Sequence, residues 1–211
     1  MEPVARAGRA LDEESLTSAV AILTGRDPDL AAVVAQVGPP PLWAREPGFP
    51  TLVRIVLEQQ VSLASAKAAY DRLIVVCPEL SPSEFLGLSD DQLLRVGFSR
   101  QKATYVRSLA HALQVGEFHF DRLASMPDSQ AREALMSLRG VGPWTAEIYL
   151  LMALGRPDAW PASDLALASA AARVKRLNHL PTVDEMQVLA RPWQPWRGVA
   201  ARILWHHYLS R

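Results

Sequence analysis

The feature that most constrains the fold of this chain is a pair of glycines, Gly140 and Gly142, which stand one residue apart. A stretch of helical character over residues 129–138 leads into the pair, and Pro143 follows it directly. Glycine permits a positive φ, which lets the backbone turn tightly between two helices. Proline fits the first turn of a helix, where its missing N–H group costs no hydrogen bond. The pattern therefore predicts a short helix–hairpin–helix.

The predicted turn is also suited to bind an anion. The first N–H groups of a helix have no partner within the helix and carry partial positive charge. Twenty residues after Trp144, Asp164 stands at the beginning of a further predicted helix. A phosphate-binding turn and a carboxylate at this separation indicate chemistry on a phosphodiester-linked substrate. An ordinary turn, with Asp164 serving only as a helix cap, is the alternative interpretation.

Helices also dominate the rest of the sequence. The alternation typical of strands is nearly absent, and glycine is scarce, with 11 among 211 residues. The sequence therefore predicts an all-α fold. The longer predicted helices cover residues 12–23, 29–37, 50–57, 63–76, 100–115, 129–138, 143–154, 165–177 and 183–190, and a last one ends at 209. Ser62 is the predicted N-cap of the helix over 63–76, and Ser163 that of the helix over 165–177.

Cysteine usage and charge exclude several classes of protein. The single cysteine, Cys77, lies in an apolar run, which favours a buried side chain over a nucleophile. One cysteine excludes a disulfide within the chain, a cysteine-rich zinc site and a four-cysteine iron–sulfur cluster. The formal net charge is zero, which argues against coating nucleic acid through bulk charge. Basic residues do outnumber acidic ones after Asp164, and a solvated helix face explains that excess equally well.

Four segments of the sequence together resemble the helix–hairpin–helix (HhH-GPD) DNA glycosylases, in their alkylpurine or 3-methyladenine type II branch. The segments are residues 55–62, residues 97–103, residues 140–146 followed by 161–164, and residues 191–197. Their order and spacing match the family from about residue 50 to the end of the chain. The resemblance implies a two-lobed all-α fold that binds double-stranded DNA carrying a damaged base.

The resemblance also implies a division of the chain. Residues 50–211 are expected to form the glycosylase core, and residues 1–49 a helical segment that packs with the C-terminal helices. The core then contains the hairpin at 129–154, the catalytic region at 160–177 and the C-terminal helices at 183–209.

Three departures from the family pattern stand out. Arg139 replaces the proline that usually opens the hairpin, which adds a positive charge near the expected phosphate. Ser163 takes the first place of a frequent acid pair, so Asp164 remains the catalytic candidate. Residues 1–49 are too short and too helical for the β-rich domain of larger members, which predicts the compact form.

By resemblance, Asp164 is the carboxylate that stabilises positive charge on the sugar during base release. Gln60 is the predicted wedge that fills the gap left by the flipped base, and two solvated loop glutamines are the alternative. The predicted DNA-binding residues are Gln59, Gln60, Ser62, Lys102, Arg139, Gly140, Gly142 and Thr145. The predicted base pocket contains Trp144, Trp205, Ile148 and Leu165; ordinary core packing is the alternative for the two tryptophans. The positions of Ile148 and Leu165 can be aromatic in the family, so this pocket is expected to be less aromatic than that of other members.

The resemblance implies that no cofactor is required. It does imply a structural Na⁺ or K⁺ held by backbone carbonyls near Leu138 and Val141. Relatives that also cut the strand carry a lysine just after the hairpin glycines, where Trp144 stands in this chain. The three lysines, Lys67, Lys102 and Lys175, lie elsewhere, which predicts a glycosylase without lyase activity.

Other functions remain open at this point. The lesion could be hypoxanthine, ethenoadenine or an oxidised base instead of an alkylated purine, or the chain could be a non-catalytic module that binds DNA structure. A nuclease would need clustered carboxylates for two metal ions, and none are found. No apolar run is long enough to span a membrane and no signal peptide is found, so a cytoplasmic protein, associated with the nucleoid in a prokaryote, is expected. A monomer is also expected.

Overall fold

The computed structural model describes residues 10–210, and this part of the chain is helical and contains no strand. The prediction of an all-α fold is therefore confirmed. The helices are α1 (Glu13–Arg26), α2 (Pro28–Val37), α3 (Phe49–Glu58), α4 (Leu63–Val76), α5 (Pro82–Leu86), α6 (Asp90–Val96), α7 (Arg100–Gln114), α8 (Phe120–Leu123), α9 (Asp128–Met136), α10 (Pro143–Met152), α11 (Leu165–Val174), α12 (Val183–Leu189) and α13 (Arg197–Leu209), with a 3₁₀ turn at Arg191–Trp193 before α13.

Short polar side chains mark where several of these helices begin. Ser62, Ser89, Ser99 and Thr182 precede α4, α6, α7 and α12, and each accepts a hydrogen bond from the N–H group three residues later. Such a cap satisfies one of the N–H groups that the helix leaves unpaired and contributes about 1 kcal/mol. The predicted cap at Ser62 is therefore confirmed.

The predicted cap at Ser163 is wrong. Helix α11 begins at Leu165, and its N-cap is Asp164, whose Oδ1 accepts from the N–H of Leu167 at 2.7 Å. A turn closed by the N–H of Asp164 on the carbonyl of Pro161, at 2.9 Å, places Ser163 before the helix. The predicted end of this helix is also wrong, because it ends at Val174.

The chain divides into two compact units, one of residues 1–44 and 150–211 and the other of residues 45–149. We call them the terminal unit and the central unit. Residues 1–9 and residue 211 lie outside the described residues. Residues 1–9 belong to the predicted segment 1–49, and residue 211 belongs to the predicted core 50–211.

In the terminal unit, α1, α2 and α11 pack against α13. The guanidinium of Arg202 on α13 is fully buried there and donates to three carbonyls, those of Leu42 at 2.9 Å, Leu151 at 2.7 Å and Gly198 at 3.1 Å. Burial lowers the pKa of Arg202 to about 10. The buried charge thus ties three chain segments together through hydrogen bonds to the backbone.

A second polar cluster of the terminal unit is centred on Asp27, which caps α2. Its carboxylate accepts from Lys175 Nζ at 2.7 Å and from the indole of Trp193 at 2.7 Å. Burial alone would raise the pKa of Asp27, but the hydrogen bonds from Lys175 and Trp193 outweigh it, so this pKa lies below its ordinary value. The cluster joins the start of α2 to residues that follow α11.

In the central unit, α3 packs on α4 and α7, and α5 also packs on α7. The rings of Phe49, Phe85 and Phe98 meet edge to face, with centroids 6.0 and 5.6 Å apart. At the end of α3, Glu58 forms a two-point ion pair with Arg45, at 2.9 and 3.0 Å. These contacts give α3 a fixed place in the core of the unit, and its last residue leads directly into the two glutamines.

We expect Asp27→Asn to lower the free energy of unfolding at neutral pH by about 1–3 kcal/mol, because Lys175 loses one of its two bonded carboxylates and keeps Asp29, at 2.9 Å. The pKa of Asp27 is lowered by folding, so its stabilisation is complete above the ordinary value of about 3.9 and is lost as the pH falls through the folded-state pKa. Urea unfolding of both proteins should therefore show a difference that shrinks below about pH 4. A difference that is independent of pH would contradict this expectation.

Candidate functional site

The hairpin between α9 and α10 uses its two glycines differently. Gly140 has a φ of +83°, and a Cβ at this position would lie 2.1 Å from Cγ of Tyr105. Gly142 does not adopt a positive φ, and a Cβ there would meet no atom within 4 Å. The fold itself therefore requires glycine at 140, whereas glycine at 142 leaves open space beside the backbone at the start of α10.

The turn at Gln59 and Gln60 is bonded to the hairpin. Nε2 of Gln59 donates to the carbonyl of Gly140 at 3.0 Å and to Oγ1 of Thr145 at 2.9 Å. Gln60 is exposed and has a φ of +55°. The interpretation of two solvated loop glutamines is therefore wrong for Gln59, while the role of the exposed Gln60 as a wedge stays a prediction.

The other predicted DNA-binding residues of the central unit lie close to these two elements. Lys102 Nζ donates to the carbonyls of Leu57 and Gln59, both at 2.8 Å, and burial lowers the pKa of this ammonium. Ser62 caps α4, and Arg139 is exposed next to the hairpin. The structure thus joins Lys102, Gln59 and the hairpin in one hydrogen-bonded group.

The catalytic candidate lies in the terminal unit. Oδ1 of Asp164 accepts from the N–H of Leu167 at 2.7 Å and from the indole Nε1 of Trp205 at 3.1 Å. Trp205, on α13, is only 8% exposed, and Asp164 is half-buried. The carboxylate is therefore held in one orientation at the N-terminal end of α11, where the helix dipole favours negative charge.

The remaining predicted pocket residues differ in exposure. Trp144 is half-buried at the start of α10, Ile148 is buried in the same helix, and Leu165 is 74% exposed. Their role in a base pocket stays a prediction.

The predicted monovalent-ion site also stays a prediction. Within residues 10–210, no three His, Cys, Asp or Glu side chains are grouped so that they could hold a metal ion. Leu138 and Val141 lie in the hairpin, where the N–H of Val141 donates to the carbonyl of Leu138 at 3.1 Å. The ligands expected for Na⁺ or K⁺ are backbone carbonyls of this turn and not side chains. In the same part of the chain, no helix is long and apolar enough to cross a membrane.

Two contacts of the site have no signal in the sequence. Tyr105 occupies the space beside Gly140, and the hydroxyl of Thr145 accepts from Gln59. Tyr105 belongs to no pattern that singles it out, and Thr145, which the resemblance marks only as a DNA-binding residue, has no local signal for a bond to Gln59.

The family model of the HhH-GPD superfamily of base excision DNA repair proteins matches residues 53–195. This range contains the glutamine turn, the hairpin and Asp164. The chain belongs to the HhH-GPD superfamily.

Named relatives align with most of the length of this HhH-GPD chain. The Mycobacterium tuberculosis protein named "Probable bifunctional transcriptional activator/DNA repair enzyme AlkA" is 35% identical over 219 residues, which cover 97% of this chain and 42% of that protein. The chain therefore spans less than half the length of that relative. DNA-3-methyladenine glycosylase 1 of Schizosaccharomyces pombe is 29% identical over 198 residues, covering 90% of this chain and 87% of that protein.

Two solved structures of glycosylases have a fold similar to that of this chain. The 3-methyladenine DNA glycosylase of Schizosaccharomyces pombe in complex with abasic DNA matches with a TM-score of 0.84 and 27% identity, over 89% of this chain and 95% of that one. The DNA-3-methyladenine glycosidase of Bacillus halodurans matches with a TM-score of 0.72 and 25% identity, over 89% and 87% of the two chains.

Gly140→Ala and Gly142→Ala should separate the structural glycine from the one at the surface. We expect Gly140→Ala to destabilise the protein by at least about 2 kcal/mol, because alanine disfavours a positive φ and its Cβ would overlap the ring of Tyr105. Gly142→Ala should change the free energy of unfolding by less than about 0.5 kcal/mol, as is typical of open surface positions. Urea unfolding of both variants provides the measurement, and equal losses would refute the distinction.

Proposed function

We propose that this protein is a monofunctional DNA glycosylase that hydrolyses the N-glycosidic bond of alkylated purines, such as 3-methyladenine, in double-stranded DNA. The observation that carries the proposal is the carboxylate of Asp164, oriented by the indole of Trp205 and the N–H of Leu167. Membership of the superfamily supports it, and so do the names of the Schizosaccharomyces pombe relative and of the solved Schizosaccharomyces pombe structure.

DNA would be held by the hairpin. A phosphate group fits the N-terminal end of α10, since the first N–H groups of a helix and its dipole both attract anions. The open space at Gly142 lets the DNA backbone approach closely, and the exposed Arg139 adds positive charge beside it. Contacts of this kind position the duplex without reading its sequence, which suits an enzyme that acts on lesions in any sequence.

The target base must leave the stack before it can be cut, at a cost of a few kcal/mol. Gln60 is the predicted wedge for the vacated space, and its exposure on the turn supports that role. An amide in this position can also form hydrogen bonds with the opposite base.

Bond cleavage moves the electron pair of the C1′–N bond onto the base and leaves positive charge on the sugar. The carboxylate of Asp164 stabilises that charge, and a water molecule then attacks C1′ and gives up a proton. A purine alkylated on a ring nitrogen already carries positive charge, so it leaves as a neutral base without a strong general acid. The absence of lysine at Trp144, where strand-cutting relatives carry one, supports hydrolysis over lyase chemistry.

Aromatic side chains suit a cationic base, because the face of each ring attracts it by about 0.5–2 kcal/mol. Trp205 is the candidate that lies beside Asp164, and Trp144 is the second predicted wall. Ile148 and Leu165 contribute no aromatic ring, so the range of substrates is expected to differ from that of relatives with aromatic residues there. Comparing the release of hypoxanthine and ethenoadenine with that of 3-methyladenine measures this range.

The proposal is tested most directly by Asp164→Asn, with release of 3-methyladenine from methylated duplex DNA measured in a single turnover. Asparagine caps a helix as well as aspartate does, so the variant should fold normally. We expect the rate to fall by a factor of about 10²–10³, as when one electrostatic stabiliser of a transition state is removed. Binding to a duplex with an abasic-site analogue should stay within about threefold, less than 1 kcal/mol. Excision at the wild-type rate would refute the mechanism.

Trp205→Phe tests the orientation of the carboxylate separately from the aromatic surface. Phenylalanine keeps a ring but removes the indole donor to Asp164. Since a hydrogen bond to a charged group contributes about 1.5–3 kcal/mol, we expect the single-turnover rate to fall by at least about tenfold. Binding to DNA with an abasic-site analogue should be unchanged. A rate equal to that of the wild type would show that the indole bond is not needed for catalysis.

A further inference from the structure

Carbonyls at the C-terminal end of α3 accept hydrogen bonds from a side chain of another helix. The last carbonyls of a helix have no partners within it, and a cation nearby interacts favourably with the helix dipole. Lys102, in the first turn of α7, supplies that cation and donates to the carbonyls of Leu57 and Gln59. The ammonium is part-buried, and burial lowers its pKa. Lys102 is thus directed into the protein, at the point where the glutamine turn begins.

The side chain of Gln59 continues this connection to the hairpin. A primary amide has two N–H donors, and two acceptors lie within reach of Nε2, the carbonyl of Gly140 and the hydroxyl of Thr145. One acceptor precedes α10 and the other lies in its first turn. A single side chain therefore links the end of α3 to both sides of the predicted phosphate-binding turn.

Gln60 is held between these contacts and the next helix. It is not glycine, yet it has a left-handed backbone conformation, with a φ of +55°. Such a conformation is unfavourable for a residue with a Cβ and persists where neighbouring contacts impose it. The carbonyl of Gln59 is bonded on one side of it, and Ser62 caps α4 on the other. These two contacts hold the backbone on either side of Gln60.

We propose that Lys102 and Gln59 are positioning residues that hold the Gln60 turn on the hairpin, and that they act on DNA only through that turn. This inference rests on the proposed function, because it concerns how the wedge and the phosphate-binding turn engage one duplex. It replaces the direct DNA contacts that the sequence predicted for both residues.

The benefit of this arrangement is that the two DNA-binding elements are in place before DNA arrives. Ordering a loop or a side chain on binding costs free energy and so reduces the affinity. Without the anchors, the duplex itself would have to order the wedge against the hairpin. Loss of an anchor should therefore weaken DNA binding and leave the chemical step at Asp164 largely intact.

The salt dependence of binding distinguishes an anchor from a phosphate contact. Each phosphate contact contributes about 0.9 to the slope of log K against log salt concentration. For Lys102→Met we expect about tenfold weaker binding to a duplex with an abasic-site analogue, because the duplex must then order the turn on binding, and an unchanged slope. The single-turnover rate at saturating DNA should stay within about threefold of the wild-type rate.

Arg139→Ala is the matched control, since Arg139 is an exposed cation beside the same hairpin. Its loss should reduce the slope by about 0.9 if it contacts a phosphate. A similar reduction for Lys102→Met would overturn the inference for Lys102, and so would unchanged affinity.

Gln59 is tested by a double-mutant cycle with Thr145. Gln59→Met removes the donors and Thr145→Val removes one acceptor, and both changes nearly preserve volume. If Gln59 acts through the hairpin, the double variant should bind DNA no more weakly than the weaker single variant. Strictly additive losses would overturn the inference, because they indicate independent roles. If Gln59→Met folds poorly, Thr145→Val alone still removes the bond between the two side chains, and it should then weaken DNA binding.

Hydrogen exchange without DNA separates this inference from the proposed function. Lys102→Met and Gln59→Met should speed exchange of backbone amides in residues 59–62 and 140–146, while the core helices exchange as in the wild type. If the wild type releases no alkylated purine but these amides exchange faster in the variants, the glycosylase proposal fails and the anchoring stands. If the wild type is active and both variants exchange and bind DNA as it does, the anchoring fails alone.

Discussion

The close approach of Gly140 to the ring of Tyr105 is the contact on which the hairpin depends. A Cβ at this position would lie 2.1 Å from the ring, so α7 and the turn can pack together only because the side chain is absent. The same approach leaves the carbonyl of Gly140 within 3.0 Å of the amide of Gln59. One glycine therefore allows both the tight turn and its connection to the end of α3.

Charges at helix ends organise the two units in different ways. In the central unit, Lys102 stabilises the C-terminal end of α3, and in the terminal unit Asp27 and Asp164 stand at the N-terminal ends of α2 and α11. Each position is electrostatically favourable for its charge. The charge of Asp27 is matched within the fold by Lys175. In the proposed reaction, the charge of Asp164 is matched by the sugar as its bond to the base breaks.

The sequence by itself determined the features that depend on neighbours along the chain. Helix caps such as Ser62 bond to an N–H group three residues away, so the residue types at short spacing predict where helices begin. The hairpin follows from Gly140 and Pro143 in the same way. Segments around the turn, the hairpin and Asp164 carried the resemblance to a superfamily to which the chain belongs. Even at this range the assignment of the cap to Ser163 was wrong, since two adjacent residues were both suitable caps.

Only the tertiary structure decided which side chains bond to one another across the chain. Gln59 meets partners 81 and 86 residues away, Lys102 one 43 residues away, and Trp205 one 41 residues away. A glutamine or a lysine at an exposed-looking turn has the same local sequence whether it faces DNA or anchors a loop. The packing of α3 on α7 and the approach of Tyr105 to Gly140 place acceptors beside these two side chains, and this packing depends on the whole core and not on any short stretch of residues.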